Sequence, residues 1–255
     1  MRGIKLLAVV GLVVALAVLG MVTANAQQSC DPTGPYRQWI LGNLGNANVI
    51  VIAIDNSGSI QAAGRLPTEK TCAINAVNQL RGKFFAVLSF NASVTVVQRP
   101  TNDTTTLIKA INSIQDTSNN TLMDGAIDDA CQFTQPVRPN GALLLLTDGI
   151  PTAARRPTDP TTAAEQAASN FKANCSTLAV IGVDIQQGSN EDKFLGRIAS
   201  PGAYGATSST GGGFEPRRGA VPTLTEWGLI VLGLLLAGSL AFMIRRRYAV
   251  QHAGA

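Results

Sequence analysis

Short apolar runs alternate along the chain with stretches in which apolar residues recur at helical spacing. Several of the runs are apolar on both faces, which is typical of parallel strands covered by helices. The predicted strands are 49–54, 84–90, 93–98, 142–147 and 178–183, with a weaker one at 203–207. The predicted helices are 68–80, 104–114, 121–133, 163–174 and 189–199.

One connection in this series is too short for a helix. Only Asn91 and Ala92 separate two of the predicted strands, so these form a hairpin and one edge strand is antiparallel. The other strands are joined through helices. The pattern therefore predicts a doubly wound, mostly parallel α/β sheet with one antiparallel edge strand and helices on both faces, over residues 36–207.

The N-terminal residues 1–26 have the composition of a secretory signal peptide. Arg2 and Lys5 precede an apolar stretch, and Ala24-Asn25-Ala26 supplies a small-residue cleavage site. We expect cleavage after Ala26. The alternative is an uncleaved membrane anchor, which the cleavage site disfavours.

The C-terminal region predicts a membrane span. Residues 227–244 form an uncharged run that is just long enough to cross a bilayer, and Arg245, Arg246 and Arg247 follow directly. The arginines are expected to stay in the cytoplasm, with Trp227 at the opposite interface. A buried core helix is the alternative, and the arginines make it the weaker one. Residues 208–220 are predicted to be a flexible linker between the domain and this span.

The net charge of +4 changes its meaning once these terminal segments are set aside. Residues 1–26 and 227–247 hold five of the 20 basic residues, which leaves 15 basic residues against 16 acidic ones elsewhere. No basic patch then argues for nucleic acid as a partner.

The four cysteines all lie in the exported part, where an even number favours two disulfides. Four cysteines allow three pairings. Cys131 and Cys175 end successive crossover helices on one face of the sheet, because both crossovers are right-handed. We therefore expect Cys131 to pair with Cys175 and Cys30 to pair with Cys72.

Acids and hydroxyls follow two strands that should be neighbours. Asp55 ends the first strand, with Ser57 and Ser59 directly after it, and Asp148 ends the first strand beyond the sheet's reversal point. Ligands of open α/β sheets bind in that crevice. A loop carrying Thr121 can reach the same place. Two carboxylates and three hydroxyls form an oxygen cluster suited to Mg²⁺ or Mn²⁺, with Ca²⁺ ranked lower.

These residues resemble the metal-ion-dependent adhesion site of von Willebrand factor type A (VWA) domains, from about Val49 to Thr207. The resemblance implies that the Ser57, Ser59 and Thr121 hydroxyls bind the metal and that Asp55 and Asp148 act mostly through water. It also implies that an exposed Asp or Glu of a protein ligand completes the metal shell. Asn119 and Asn120 replace glycines found in many members; asparagine tolerates left-handed backbone better than most residues, so the loop should be preserved. The combined residue list is Asp55, Ser57, Ser59, Thr121 and Asp148.

The tail "VPTLTEWG" at 221–228, followed by an apolar span and arginines, resembles a C-terminal sorting signal of the IPTLxxWG type found in Gram-negative-type bacteria. Val221 replaces the usual isoleucine. The resemblance implies secretion across the inner membrane, a transient anchor in the cell envelope or surface, and processing by an exosortase-like membrane enzyme. A permanent anchor is the alternative.

A binding module is the first functional hypothesis, and an enzyme is the second. The only histidine, His252, lies beyond the predicted span, which removes histidine-based triads. A Mg²⁺-dependent phosphoryl-transfer enzyme with Asp55 as nucleophile is the better enzymatic alternative, although Ser57 stands where many such phosphatases have a second aspartate. A structural envelope protein with a degenerate site is a third hypothesis.

Arg155 and Arg156 either steer an acidic ligand toward the site or, as we favour, belong to a solvated loop.

Overall fold

The computed structural model describes residues 30–208 and 213–217. The predicted signal peptide, membrane span and sorting motif all lie outside these residues. Among the helices formed by 30–208 and 213–217, none is long and apolar enough to cross a membrane.

Helices and strands alternate through the described residues, much as the apolar pattern predicts. The helices are α1 (Pro35–Leu44), α2 (Gly58–Ala63), α3 (Leu66–Gln79), α4 (Thr104–Ser113), α5 (Met123–Thr134), α6 (Pro160–Asn174) and α7 (Asn190–Ile198), with a 3₁₀ turn at Gln135–Val137. The strands are β1 (Val49–Asp55), β2 (Phe84–Phe90), β3 (Val94–Thr101), β4 (Gly141–Thr147), β5 (Thr177–Gly182), β6 (Tyr204–Thr207) and β7 (Phe214–Arg217).

The strands form one seven-stranded sheet in the order β3-β2-β1-β4-β5-β6-β7. Strands β2, β1, β4, β5 and β6 run parallel, and β3 pairs antiparallel with β2 through the expected hairpin. The prediction of a doubly wound, mostly parallel sheet with an antiparallel edge is confirmed. Because β2 lies on one side of β1 and β4 on the other, the strand order reverses between β1 and β4. This reversal opens the crevice beyond their carboxyl ends.

Alternate residues of β1 enter two separate cores. Ile50, Ile52 and Ile54 pack against α1, α3 and α4, whereas Val51 and Ala53 face α5, α6 and α7. Every one of these five side chains is fully buried. Burying a large aliphatic side chain contributes about 1.5–3 kcal/mol. The apolar run therefore fixes β1 at the centre of the sheet and sets Asp55 at its carboxyl end.

Short helix α2 and the 3₁₀ turn were not predicted, and neither were α1 and β7, which pack on each other. Helix α1 begins at Gly34-Pro35, and strand β7 pairs antiparallel with β6 at the far edge of the sheet. The Phe214 ring meets Tyr36 and Trp39 edge-on, with ring centroids 5.1 and 5.2 Å apart. The segment expected to be a flexible linker therefore differs at 214–217, because a buried phenylalanine anchors it.

Both disulfides of the favoured pairing are present. Cys30 is joined to Cys72 of α3, and Cys131 of α5 is joined to Cys175 at the end of α6. No cysteine among the described residues is free. The first bridge ties the N-terminal segment to α3, and the second ties together two helices on the other face. The pairing expected from crossover handedness is confirmed.

Candidate metal site

Asp55 is held rigidly at the bottom of the crevice. Its Oδ1 accepts a hydrogen bond from the Ser57 main-chain N–H at 2.9 Å, and its Oδ2 accepts one from Thr147 Oγ at 2.7 Å. The side chain is fully buried. Burial raises the pKa of Asp55 to about 7; hydrogen bonds from Ser57 and Thr147 lower it, and the charge of Asp148 adds a smaller upward push.

The two serines link this acid to Asp148. Ser57 Oγ and Ser59 Oγ lie 3.3 Å apart, and Ser59 Oγ donates a 2.8 Å hydrogen bond to Asp148 Oδ1. Short helix α2 begins at Gly58, between the serines. The loop that carries Thr121 passes close to Gly58: a Cβ at Gly58 would lie 3.4 Å from the Asn119 carbonyl oxygen, an ordinary contact distance.

Main-chain hydrogen bonds fasten that loop from two sides. On one side, Gly58 N–H donates to the Asn119 carbonyl at 2.8 Å, and Thr117 donates to the Asn56 carbonyl from both its N–H (3.0 Å) and its Oγ1 (2.7 Å). On the other side, Thr121 N–H donates to Thr152 Oγ1 at 2.9 Å, and the Thr121 carbonyl accepts from Thr152 N–H at 3.1 Å. Thr121 is therefore buried between the β1 and β4 loops.

The asparagines before Thr121 do not use the left-handed backbone that motivated their interpretation. Among the described non-glycine residues only Asp184 has a positive φ, at 60°. Asn119 and Asn120 are exposed and hold the loop in ordinary backbone conformations. The loop adopts this path without a glycine, because neither asparagine has a positive φ.

Arg65 and Glu69 adjoin the crevice and were missed by the sequence analysis. Arg65 Nη1 donates to Asp148 Oδ2 at 2.8 Å. Glu69 is fully buried, and within the described residues its carboxyl oxygens lack a hydrogen bond of ordinary geometry, although the main-chain N–H of Asp55 is close enough to lower its pKa slightly. Burial raises the pKa of Glu69 well above its usual range, and the charges of Asp55 and Asp148 raise it further. The sequence does not show that Glu69 lies near the site, because it is a single acid within a helical pattern and only the fold brings it to the strand ends.

Arg155 and Arg156 lie in a largely exposed loop, in keeping with the favoured interpretation, but both also make ion pairs. Arg155 forms a two-pronged pair with Asp129 at 2.6 and 2.8 Å, and Arg156 Nη2 donates to Asp128 at 3.0 Å. The main-chain N–H of Arg155 also donates to buried Asp124 at 2.9 Å. Helix α5 therefore holds the 150–159 loop in place, and through Thr152 that loop holds Thr121.

The Ser57 and Ser59 hydroxyls are spaced like neighbouring oxygen ligands of a small divalent cation. Oxygen ligands about 2.1 Å from an octahedral Mg²⁺ lie about 3.0 Å from their neighbours, close to the 3.3 Å between the Ser57 and Ser59 hydroxyls. Within 30–208 and 213–217, no group of three His, Cys, Asp or Glu side chains is arranged to hold a metal. The donor set available in the crevice is instead mainly hydroxyl, with Asp55 and Asp148 as its two charged members.

Comparison with known proteins identifies two parts of the chain. Residues 50–150 match the family model of the von Willebrand factor type A domain, and residues 220–247 match the model of the IPTL-CTERM motif. The chain therefore contains a von Willebrand factor type A domain and a C-terminal IPTL-CTERM motif, and both resemblances seen in the sequence are confirmed. No curated protein matched the chain.

Solved structures share the fold at low sequence identity. The vWF domain of the type V pili tip protein Mfa5 from Porphyromonas gingivalis is 13% identical with a TM-score of 0.55, covering 64% of this chain and 90% of that one. The pilus adhesin SpaC from Lactobacillus rhamnosus GG, in its open conformation, is 15% identical with a TM-score of 0.52, covering 65% and 28%.

Proximal thread matrix protein 1 from the mussel byssus, in a structure described as having a zinc-occupied MIDAS motif, is 19% identical. Its TM-score is 0.50, and the match covers 64% of this chain and 44% of that one. The chain therefore spans less than half of the mussel protein and about a quarter of SpaC. At these identities the likenesses establish the fold alone.

Proposed function

We propose that this chain is an exported, surface-sorted binding module that holds an acidic residue of a protein ligand through a divalent cation. Asp55, Ser57, Ser59, Thr121 and Asp148 would hold Mg²⁺ or Mn²⁺. The observation that carries the proposal is the meeting of the Ser57 and Ser59 hydroxyls with Asp148 at the strand-order reversal. An ion held largely by hydroxyls would remain electron-poor and would offer a coordination position to an external carboxylate.

The protein's own groups prepare this crevice in advance. Thr147 and the Ser57 N–H fix both oxygens of Asp55, and Ser59 fixes one oxygen of Asp148. Little side-chain entropy then remains to be lost when a cation and ligand bind. Residues 61–63 and 118–120, which flank Ser59 and Thr121, are exposed and uncharged. An acidic ligand would therefore meet no repelling carboxylate on these two segments.

The same geometry disfavours the phosphoryl-transfer alternative. In that reading Asp55 is the nucleophile, which needs an accessible carboxylate oxygen. Asp55 is fully buried, and both of its oxygens are engaged by Ser57 and Thr147. A buried carboxylate that accepts a hydrogen bond on each oxygen is well suited to hold a metal-bound water and poorly placed to attack a substrate. The binding module is therefore better supported than the phosphoryl-transfer enzyme.

The sorting part of the proposal rests on the C-terminal motif at 220–247. The domain would be exported, held by the tail at the membrane, and then released or transferred to the envelope surface by a membrane processing enzyme of the exosortase type. The structural likenesses to a pili tip protein and a pilus adhesin support a surface binding role for such a domain.

Manganese binding to the full-length protein in detergent tests the proposal. Titration calorimetry should find one Mn²⁺ site, which the Ser57→Ala/Ser59→Ala double variant loses by at least about tenfold in affinity, because two ligand oxygens are removed. Ser169→Ala is the matched control: this exposed serine lies on α6, outside the loops that carry Asp55, Thr121 and Asp148. Equal Mn²⁺ affinity in the double variant and the control would contradict the site.

The open coordination position can be probed with acetate as the simplest carboxylate. Mn²⁺ bound to the protein should enhance the relaxation of water protons, and acetate should reduce this enhancement by replacing a metal-bound water. Chloride at the same ionic strength is the control. Mn²⁺ binding without an acetate effect would retain the metal site and contradict its use as a carboxylate anchor.

A further inference from the structure

A guanidinium group lies across the rim of the candidate metal site. Arg65 donates from Nη1 to Asp148 Oδ2 at 2.8 Å, and from Nη2 and Nε to Asp184 Oδ2 at 2.7 and 3.0 Å. The Arg65 side chain is 26% exposed, whereas that of Asp148 is 3% exposed. A single arginine therefore bridges the buried acid of the site and a second, more open acid.

The backbone holds all three members of this bridge in place. Gly64 has a left-handed φ of 63°, which turns the chain from α2 into α3 and brings Arg65 back over the crevice. Asp184 also has a positive φ, of 60°, and its N–H donates to Thr207 Oγ1 at 2.8 Å. The neighbouring Val183 N–H donates to the Thr147 carbonyl at 2.8 Å, so the end of β5 is fastened to the end of β4.

The bridge occupies the Asp148 oxygen that Ser59 leaves open. Ser59 Oγ donates to Asp148 Oδ1, and Arg65 takes Oδ2. Asp148 has no other ion-pair partner among the described residues. Besides Asp148, the acids Asp55 and Glu69 adjoin the crevice. The charges of Asp55 and Asp148 both raise the pKa of the buried Glu69. Arg65 thus supplies the positive charge that compensates this acidic group in the absence of a metal.

We propose that Arg65 is an internal counter-cation that competes with the divalent ion for Asp148, and that Asp184 is the acceptor which retains Arg65 when the ion binds. This inference rests on the proposed metal site, and it makes Arg65 the residue that limits the affinity of that site for the divalent ion. A cation entering beside Asp148 meets a like charge about a hydrogen-bond length from the acid it needs. Its binding must weaken the contact between Arg65 and Asp148. Arg65 keeps two donors on Asp184 throughout, so the exchange leaves no buried charge unpaired.

This arrangement gives the site a weak affinity for metal alone. The ion binds firmly only when a further carboxylate adds negative charge beside it, and metal and acidic ligand then raise each other's affinity by the same factor. Removing the arginine should therefore tighten metal binding in the absence of ligand. A residue that only stabilised the fold would not have that effect.

The test compares Mn²⁺ affinities of full-length variants by calorimetry in detergent. Arg65→Gln should bind Mn²⁺ about tenfold more tightly than the wild type, because a like charge is removed. Asp184→Asn should bind it more weakly, because Arg65 is left with Asp148 alone. Arg197→Gln is the matched control: it removes an equal charge from an exposed ion pair with Glu165 and should change the affinity by less than about twofold.

Thermal melts supply a second measurement on the same proteins. In chelator, Arg65→Gln should melt at a lower temperature than the wild type, and saturating Mn²⁺ should recover more of the loss than it does for Arg197→Gln. If Arg65→Gln does not fold, Arg65→Lys replaces it; a lysine keeps the charge but cannot bridge both acids, so a smaller tightening is expected.

The outcomes separate this inference from the metal site itself. Wild-type affinity or weaker binding in Arg65→Gln and Arg65→Lys, with Mn²⁺ still lost in Ser57→Ala/Ser59→Ala, would overturn the role of Arg65 and leave the site standing. Absence of Mn²⁺ binding in the wild type and all variants would overturn both.

Discussion

Ser59 Oγ donates a 2.8 Å hydrogen bond to Asp148 Oδ1 across 89 residues of sequence. The two residues follow β1 and β4, which pair in parallel with Ile54 opposite Leu146. Their contact is therefore a direct result of where the strand order reverses. It joins the two halves of the candidate site before any cation or ligand is bound.

The Thr147 hydroxyl should contribute measurably to stability. Thr147→Val removes the donor to buried Asp55 Oδ2 and keeps the side-chain shape. We expect the free energy of unfolding to fall by about 1–3 kcal/mol, because a buried acceptor is left unsatisfied. Urea unfolding in chelator measures this. The control Thr95→Val lies at an exposed position on β3 and should stay within about 0.5 kcal/mol of wild type. A loss of the same size in both variants would contradict the role of the bond.

Two acids on α5 should differ sharply in importance. Asp124 is fully buried and accepts from the Arg155 N–H, whereas Asp129 pairs with the more exposed Arg155 side chain. Asp124→Asn should lower the free energy of unfolding by about 1–3 kcal/mol, because it introduces a buried amide with too few partners. Asp129→Asn should cost less than about 1 kcal/mol, as exposed ion pairs usually do.

Metal binding gives a second readout of the same pair. Asp124 fastens the loop that contacts Thr121, so Asp124→Asn should also weaken Mn²⁺ binding, and Asp129→Asn should leave it nearly unchanged. Chemical denaturation and calorimetry on both variants decide the matter. If Asp129→Asn proved the more damaging of the two, the loop would be held chiefly by its surface pair.

The sequence predicted the sheet because its strands are long apolar runs and its connections have helical periodicity. It also placed Asp55 and Asp148 in one crevice, since parallel strands carry their ends to the same edge. It did not predict α1, although the buried residues Tyr36, Trp39, Ile40 and Leu44 follow helical spacing after Pro35. Strand β7 was beyond reach because four residues pair only where Phe214 finds a partner on α1.

The charged partners of the site could not be read from the chain for a different reason. Arg65 and Asp184 are 119 positions apart, and neither belongs to a pattern that sets it apart from an ordinary surface residue. They meet because Arg65 follows the left-handed turn at Gly64 and Asp184 follows β5, which pairs with β4. Local sequence specifies strands and motifs, whereas such ion pairs depend on the complete fold.

Stability of the metal-free protein should rise as the pH falls from about 7 to about 4. Burial raises the pKa of Asp55 in the folded protein to about 7, from an ordinary value of 3.8. The folded state therefore binds a proton that the unfolded state releases, and its stabilising effect is fully present below about pH 4 and lost as the pH rises through about 7. The raised pKa of buried Glu69 acts in the same direction.

Thermal melts in chelator between pH 4.5 and 8 would measure this effect. Mn²⁺ should stabilise the protein more at pH 8 than at pH 5.5, because protonated Asp55 competes with the ion. A melting temperature in chelator that increased steadily from pH 5 to 8 would contradict the raised pKa values.

The two disulfides should stabilise the domain by similar amounts. They close segments separated by 42 and 44 positions, for which loop-closure entropy gives about 4 kcal/mol each. We expect Cys30→Ala/Cys72→Ala and Cys131→Ala/Cys175→Ala to lower the free energy of unfolding comparably. Peptide mapping without reduction should recover Cys30–Cys72 and Cys131–Cys175. A Cys72–Cys131 peptide would instead require α3 and α5 to lie on the same face of the sheet.

The C-terminal motif predicts a processed tail that leaves the folded domain unchanged. Strand β7 ends at Arg217, and Pro222 of the motif follows after four further residues. We expect mass spectrometry of the mature protein to find a C-terminus between Pro222 and Thr225. The melting temperature should match that of the unprocessed chain, because the Phe214 contacts with α1 lie before the cut. The control variant Pro222→Ala/Thr223→Ala should keep its tail. If most wild-type molecules retained the arginines at 245–247, the tail would be a permanent anchor and the domain would act only at the membrane that holds it.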